Sequence, residues 1–188
     1  FITTGGPGYT FEGQILSADR NFSGGKTYSN TRVVSATDNI KIYQTERYGN
    51  FKYNLPVPNG AYIIRLHFAE IFHTSVNKRK FNVTVENGQG ALNGYDIVAR
   101  AGGPNIAKVE EFKSITVTDG ILNIDFTSVI DNAKVSAIEI ISAEPPNTAP
   151  RLVKQIADQQ LSVSVKTKTI AFDSVFADNE DQAQLVYT

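Results

Sequence analysis

The segment "IYQTERYGNFKYNLPVPNG", Ile42–Gly60, concentrates side chains able to do chemistry: Tyr43, Glu46, Arg47, Tyr48, Phe51 and Tyr53. Aromatic rings beside a carboxylate and a guanidinium have two uses. They fill a core, where charges are tolerated only when paired and hydrogen-bonded. Alternatively they line a surface, where the rings supply apolar area and the charges fix a ligand's polar groups. Tyr43 and Tyr53 lie in strand-like runs and read as core or sheet filler. Tyr48 and Phe51 flank Gly49-Asn50, read as a loop that can project them toward a ligand or fold them in. Tyr28, in "GGKTYSN", occupies a polar, glycine-flanked stretch with no evident structural need for tyrosine. Glu46 and Arg47 read as a paired network, with each other or with neighbours. Glu70 follows Phe68 by two and so faces inward, with Arg47 or Lys52 as candidate partners.

Other constellations point to catalysis or metal less well. A glycosidase needs two carboxylates about 5–10 Å apart across a cleft, and with 19 acidic residues a pair singles out nothing. His67, Glu70 and His73 suggest a metal site, but on a strand residues spaced by three do not share a face. "TTGGPG", Thr3–Gly8, lacks the lysine and helix of a phosphate loop. "ADNEDQ" gathers Asp178, Glu180 and Asp181, which reads as a solvated acidic loop or as a calcium site between tandem repeats. Calcium there is the single cofactor the sequence suggests.

The elements that must position these residues are strands. "AYIIRLHFAEI" places Tyr62, Ile64, Leu66 and Phe68 on one face, against Ala61, Ile63, Arg65 and His67. "KFNVTVENG" does the same with Phe81, Val83 and Val85, and "GILNIDF" with Leu122, Ile124 and Phe126. Such alternation marks half-buried strands. "VPNG", "ENGQG" and "TDG" supply turn chemistry between runs. No amphipathic helix stands out; "NIAKVEEF", Asn105–Phe112, has room for one short turn. Many short strands with Gly/Asn turns predict an all-β sandwich.

Composition narrows the function. The chain has 188 residues, enough for one full core of about 100–150 residues and a smaller piece. A net charge of −1 gives no field for nucleic acid. No apolar run reaches the roughly 18–20 residues of a membrane span. The absence of cysteine removes disulfides, thiolate metal sites and a cysteine nucleophile. Opening at Phe1 with no methionine, the chain reads as an excerpt or processed product. After residue 142, "AEPPNTAP", Ala143–Pro150, has three prolines in eight residues and reads as a linker. Residues 151–188 show strand-like pieces at Leu161–Val165, Thr169–Phe172 and Leu185–Tyr187, a short β-rich C-terminal extension too small for its own sandwich.

The block "IYQTERYGNFKYNLPVPNGAYIIRLHFAEIF" resembles the central block of the malectin family. Further pieces follow in the family's order: Asp19–Gly24, "KFNVTVENG", "YDIVARAG" and "DNAKVSAIEI". The resemblance spans about residues 1–142. It implies a jelly-roll-like β-sandwich that binds carbohydrate, a glucose-containing oligosaccharide or polysaccharide, without cutting it. It also implies a module of a secreted or cell-surface multidomain protein, bacterial relatives being of that kind. A structural or adhesive module that contacts proteins is the alternative. Sugars present apolar C–H faces ringed by hydroxyls, so Tyr28, Tyr48 and Phe51 become candidate contacts. Carried over from the family, Phe72 matches the first of an aromatic pair after Ala-Glu, His73 replaces the second, and Asp131 matches the acidic position. Residues 151–188 resemble the truncated start of a cadherin-like or Ig-like repeat.

Overall fold

A computed structural model describes residues 1–143, together with the backbone of 151–152 and 176–177. The chain divides into two compact units, Phe1–Glu144 and Pro145–Thr188. In the second, Arg151–Leu152 pairs antiparallel with Phe176–Ala177. The acidic candidates Asp178, Glu180 and Asp181, and the strand-like pieces expected after residue 160, lie outside the described residues.

The first unit is the expected all-β sandwich. One sheet orders β1 (Ile2–Thr3), β12 (Ala137–Ser142), β6 (Gly60–Phe68) and β9 (Lys108–Val117). The other orders β11 (Lys134–Val135), β5 (Thr45–Pro56), β10 (Ile121–Ile130), β7 (Lys80–Val85) and β8 (Gly90–Tyr95), with β4 (Phe22–Ser29) also on β5. A separate hairpin joins β2 (Tyr9–Phe11) to β3 (Gln14–Leu16). All these named strand pairs are antiparallel.

The alternating residues fill the space between the sheets. Tyr62, Ile64, Leu66 and Phe68 from one sheet bury with Phe81, Val83, Val85, Leu122, Ile124 and Phe126 from the other. Of the three turn motifs, "ENGQG" closes the β7–β8 hairpin, with Glu86, Asn87 and Gly88 all at positive φ. The other two carry the chain from one sheet to the other, as a jelly-roll-like topology requires. These two arches meet: Val57 N–H donates to Gly120 O (3.0 Å), and Gly120 N–H to Asn59 Oδ1 (2.8 Å).

The structure corrects three local readings. Gly49-Asn50 is not a loop but part of the continuous strand β5, and "GGKTYSN" belongs largely to β4. The short helix is not in "NIAKVEEF", most of which enters β9; it is α1 (Ile97–Ala101). There Asp96 caps the N-terminus by accepting the Ala99 N–H (3.1 Å), and Gly102 ends the helix at φ 83°.

Asp19 ties the N-terminal segment to the sandwich. Its carboxylate accepts from Arg47 Nη2 (2.6 Å) and Nε (3.0 Å), Tyr53 Oη (2.7 Å) and Gly5 N–H (2.8 Å). Gly5 must be glycine: at φ 70° an added Cβ would lie 2.2 Å from the Glu46 carbonyl oxygen. Arg47 also lies 3.3 Å from the centre of the Phe22 ring, as a cation–π contact.

Candidate functional site

The β4–β5–β11 pairing places the first part of a pocket. Tyr28 lies opposite Glu46, while both Lys26 and Lys134 lie opposite Tyr48 on the flanking strands. Directly opposite side chains on neighbouring strands sit close together. The segment between β6 and β7 adds Phe72 and Arg79; the turn between β10 and β11 adds Asp131 and Asn132. These seven residues, Glu46 and Tyr48 included, line a pocket of about 190 Å³.

Its wall is aromatic. Tyr28 meets Phe72 edge to face, with centroids 6.2 Å apart at 87°, and Phe72 meets His73 at 5.0 Å and 88°. Phe72 is 59% exposed, an unusual placement for a phenyl ring with only core duties. Its polar side is Asp131, which stands at φ 55° where the chain turns after β10. Asp131 Oδ2 lies 2.8 Å from His73 Nε2 and 3.4 Å from Arg79 Nη1, and Oδ1 accepts from Asn132 Nδ2 (2.8 Å). Burial alone would raise the Asp131 pKa, but the His73 hydrogen bond and the Arg79 charge hold it below its ordinary value. It is therefore an ionised acceptor at neutral pH, and a carboxylate has about four lone-pair sites to share.

Beneath the wall lies a charged support. Glu70, 1% exposed, bonds Arg79 Nε through Oε2 (2.7 Å). Its Oε1 accepts the N–H groups of Phe72 (3.0 Å) and His73 (3.1 Å). The inward carboxylate expected from alternation is present, but its partner is Arg79 rather than Arg47 or Lys52. Glu46 and Arg47 do not pair with each other, because successive strand residues face opposite ways. Arg47 goes to Asp19, and Glu46 goes to Lys134, which also donates to the Ala69 carbonyl.

Burial would raise the Glu70 pKa, but the charges of Lys134 and Arg79 and the bonds it accepts lower it overall. A folded-state pKa below the unfolded value of about 4.3 contributes stability above that value, which is lost as pH falls through the folded pKa. In melts from pH 6 to pH 2, Glu70→Gln should show a lower Tm at pH 6 and a flatter acid limb than the parent. An acid limb of unchanged slope would remove Glu70 from this role.

Tyr28, Tyr48, Phe72 and Asp131 are thus brought together, and His73 stands behind Asp131. Phe51 is not. It is 5% exposed and stacks on Phe126 at 4.4 Å and 17°, in phase along β5 with buried Tyr53 and Leu55. That alternation is present in "FKYNL", and it outweighs the Gly49-Asn50 pair before it. Tyr43 is core as expected, 3.0 Å from His67 Nδ1 through its hydroxyl. His67 and His73 face different partners, His67 lying 3.7 Å from Glu139. Arg79 and Asn132 were not singled out in the sequence. Arg79 sits in "NKRKF" between two lysines, where the planar fork that suits buried carboxylates is the one available signal.

The fold and the pocket together thus define a β-sandwich that gathers aromatic rings and an ionised acceptor in one small hollow. The Malectin domain family model matches residues 1–138, and the chain belongs to that family. Kinesin-like protein KIN-14Q of Arabidopsis thaliana is 31% identical over 132 residues, covering 70% of this chain and 10% of that protein. Malectin-B of Xenopus laevis is 30% identical over 115 residues, covering 53% of this chain and 41% of that one. The chain thus spans less than half the length of either. The crystal structure of the ANX1 ectodomain from Arabidopsis thaliana aligns with a TM-score of 0.66 at 17% identity, over 77% of this chain and 48% of that one. At that identity the likeness concerns the fold alone. No described helix is long and apolar enough to cross a membrane.

Proposed function

We propose that this chain is a carbohydrate-binding module that takes a glucose-containing oligosaccharide in the pocket of Tyr28, Tyr48, Phe72 and Asp131, without bond cleavage. The carrying observation is that exposed ring edges and an ionised carboxylate with spare acceptor capacity converge there. Phe72 and Tyr28 offer area to the C–H face of a sugar, and Asp131 and the Tyr48 hydroxyl serve its hydroxyls. Family membership and the resemblance of the central block support the sugar class. A secreted or cell-surface multidomain protein is the setting that resemblance favours. Hydrolysis is not the favoured reading. A general acid needs a raised pKa, whereas that of Asp131 is lowered, and Glu46 is occupied by Lys134.

Calorimetric titration with a panel of glucose oligomers is expected to show saturable binding. Asp131→Ala should weaken it by about tenfold to a hundredfold, the worth of a hydrogen bond to a charged group. Phe72→Ala should weaken it by about tenfold without loss of fold, because the ring is exposed. Absence of binding across the panel would sink the proposal.

A protein-contact role is the second reading. Val129 and Ile130, 55% and 43% exposed, immediately precede Asp131, so apolar surface continues beyond the pocket residues. It predicts that Val129→Ser changes partner capture while leaving sugar titrations unaffected.

A further inference from the structure

Beyond Tyr48 and Asn132 the surface dips again. A second depression of about 380 Å³ is lined by Gly25, Lys26, Tyr48, Gly49, Asn50 and Asn132. Tyr48 and Asn132 line both hollows, so the two are immediate neighbours that share these side chains. We propose that this second hollow is an additional sugar subsite, so that the site takes an oligosaccharide longer than a disaccharide. This rests on the carbohydrate reading above.

Three observations support it. The first concerns size: the first pocket alone falls short of the roughly 300–1,000 Å³ of clefts that enclose ligands of drug size, and the pair reaches that range. The second is the floor. Where β4 crosses β5 the register shifts between Gly24 and Lys26, and Gly24, Gly25 and Gly49 all stand at positive φ. An added Cβ on Gly25 would come within 2.9 Å of the Tyr48 carbonyl oxygen. One on Gly49 would meet nothing closer than Gly25 Cα at 3.5 Å, so it would stand in the hollow. The Gly25 backbone therefore packs directly on β5, while at Gly49 no side chain enters the hollow, which permits close approach of a ligand.

The third is the rim. Asn50 Oδ1 is engaged by the Ser128 N–H (2.8 Å), and that bond fixes the Asn50 amide at the edge of the hollow. Asn132 Nδ2 is held by Asp131, which fixes its amide between the two hollows. Lys26 is exposed, and among the described residues no carboxylate is recorded within ion-pair distance of it. Its ammonium has three donors and no acceptor, matched to the oxygens of a hydroxyl-rich unit. The second subsite is thus polar, gripping by amide and ammonium where the first uses rings.

The test is a calorimetric comparison of maltose, cellobiose and laminaribiose with the matching tetrasaccharides, on the full chain and on Lys26→Ala and Asn50→Ala. Thermal melts check that each variant is folded. At least one tetrasaccharide is expected to bind about tenfold tighter than its disaccharide, and both variants should reduce that ratio severalfold. Equal affinities for disaccharide and tetrasaccharide would overturn the second subsite and leave the carbohydrate reading standing. A length advantage that survives both substitutions would also overturn it, because the extra units would then lie elsewhere. No binding by any of the six sugars would count against the carbohydrate reading, and this inference would fall with it.

Discussion

Asp19→Ala is expected to destabilise the sandwich by about 3–5 kcal/mol, the cost of breaking a buried ion pair by removing one partner. The loss reaches further than Arg47. The Arg47 side chain, 5% exposed, would keep its charge and its bond to the Gly24 carbonyl but lose its carboxylate. Tyr53, fully buried, would lose the acceptor of its hydroxyl, and Gly5 the acceptor of its N–H. The Tyr53 phenol pKa is pushed up, chiefly by burial and then by the Asp19 charge, so the hydroxyl stays a donor throughout the neutral range. Against a typical total of about 5–15 kcal/mol, a loss of this size brings the protein close to unfolding. Urea denaturation checks it, with Tyr53→Phe as a milder companion expected to cost about 1 kcal/mol. A cost for Asp19→Ala no larger than that of Tyr53→Phe would show that Arg47 finds another partner.

Much of the sandwich was legible because its strands are half-buried and period two survives in the sequence. Tyr62 to Phe68, Phe81 to Val85 and Leu122 to Phe126 face the core as their spacing predicts. The turns were legible as turns but not as connections. "VPNG" and "TDG" have the chemistry of hairpins yet join different sheets, since local φ preferences carry no information about which sheet the next strand enters. The helix was missed because five residues are too few for a period of 3.6 to register. Its signal lay in the caps, Asp96 and Gly102, rather than in the residues between them.

The candidate site was partly legible for a different reason. Tyr28 stands out because a tyrosine in a polar, glycine-flanked stretch has no core duty to explain it, whereas Phe72 and Asp131 are legible only through the resemblance to the malectin family's positions. Phe51 is core because it is in phase with Tyr53 and Leu55, a signal stronger than the Gly49-Asn50 pair that precedes it. Glycine at 49 supplies a positive φ within a continuous strand and does not mark a place where the strand ends. The charged support was legible only as a need. Alternation showed that Glu70 requires a partner, but the choice among Arg47, Lys52 and Arg79 depends on contacts between segments that sequence spacing does not encode.

Lys134 bears the second large expected effect. It is fully buried, opposite Tyr48 in the ladder, and donates to Glu46 and to the Ala69 carbonyl. Lys134→Met should cost about 3–5 kcal/mol, because Glu46 at 2% exposure keeps its desolvation penalty and loses its counter-charge. Replacing both members should behave otherwise. Lys134→Met combined with Glu46→Leu is expected to recover most of that loss, since hydrophobic side chains of similar volume often substitute for a buried pair at little net cost. A double-mutant cycle in urea isolates the coupling, provided neither single variant makes a new contact. Because Glu46 also lines the pocket, the double variant separates two duties. If the pair serves only the fold, the double variant regains stability and sugar affinity together. If Glu46 also meets the ligand, stability returns while affinity stays reduced. A single variant Lys134→Met costing under about 1 kcal/mol would mean that water reaches Glu46 when the lysine leaves, and that the pair is not a closed element of the core.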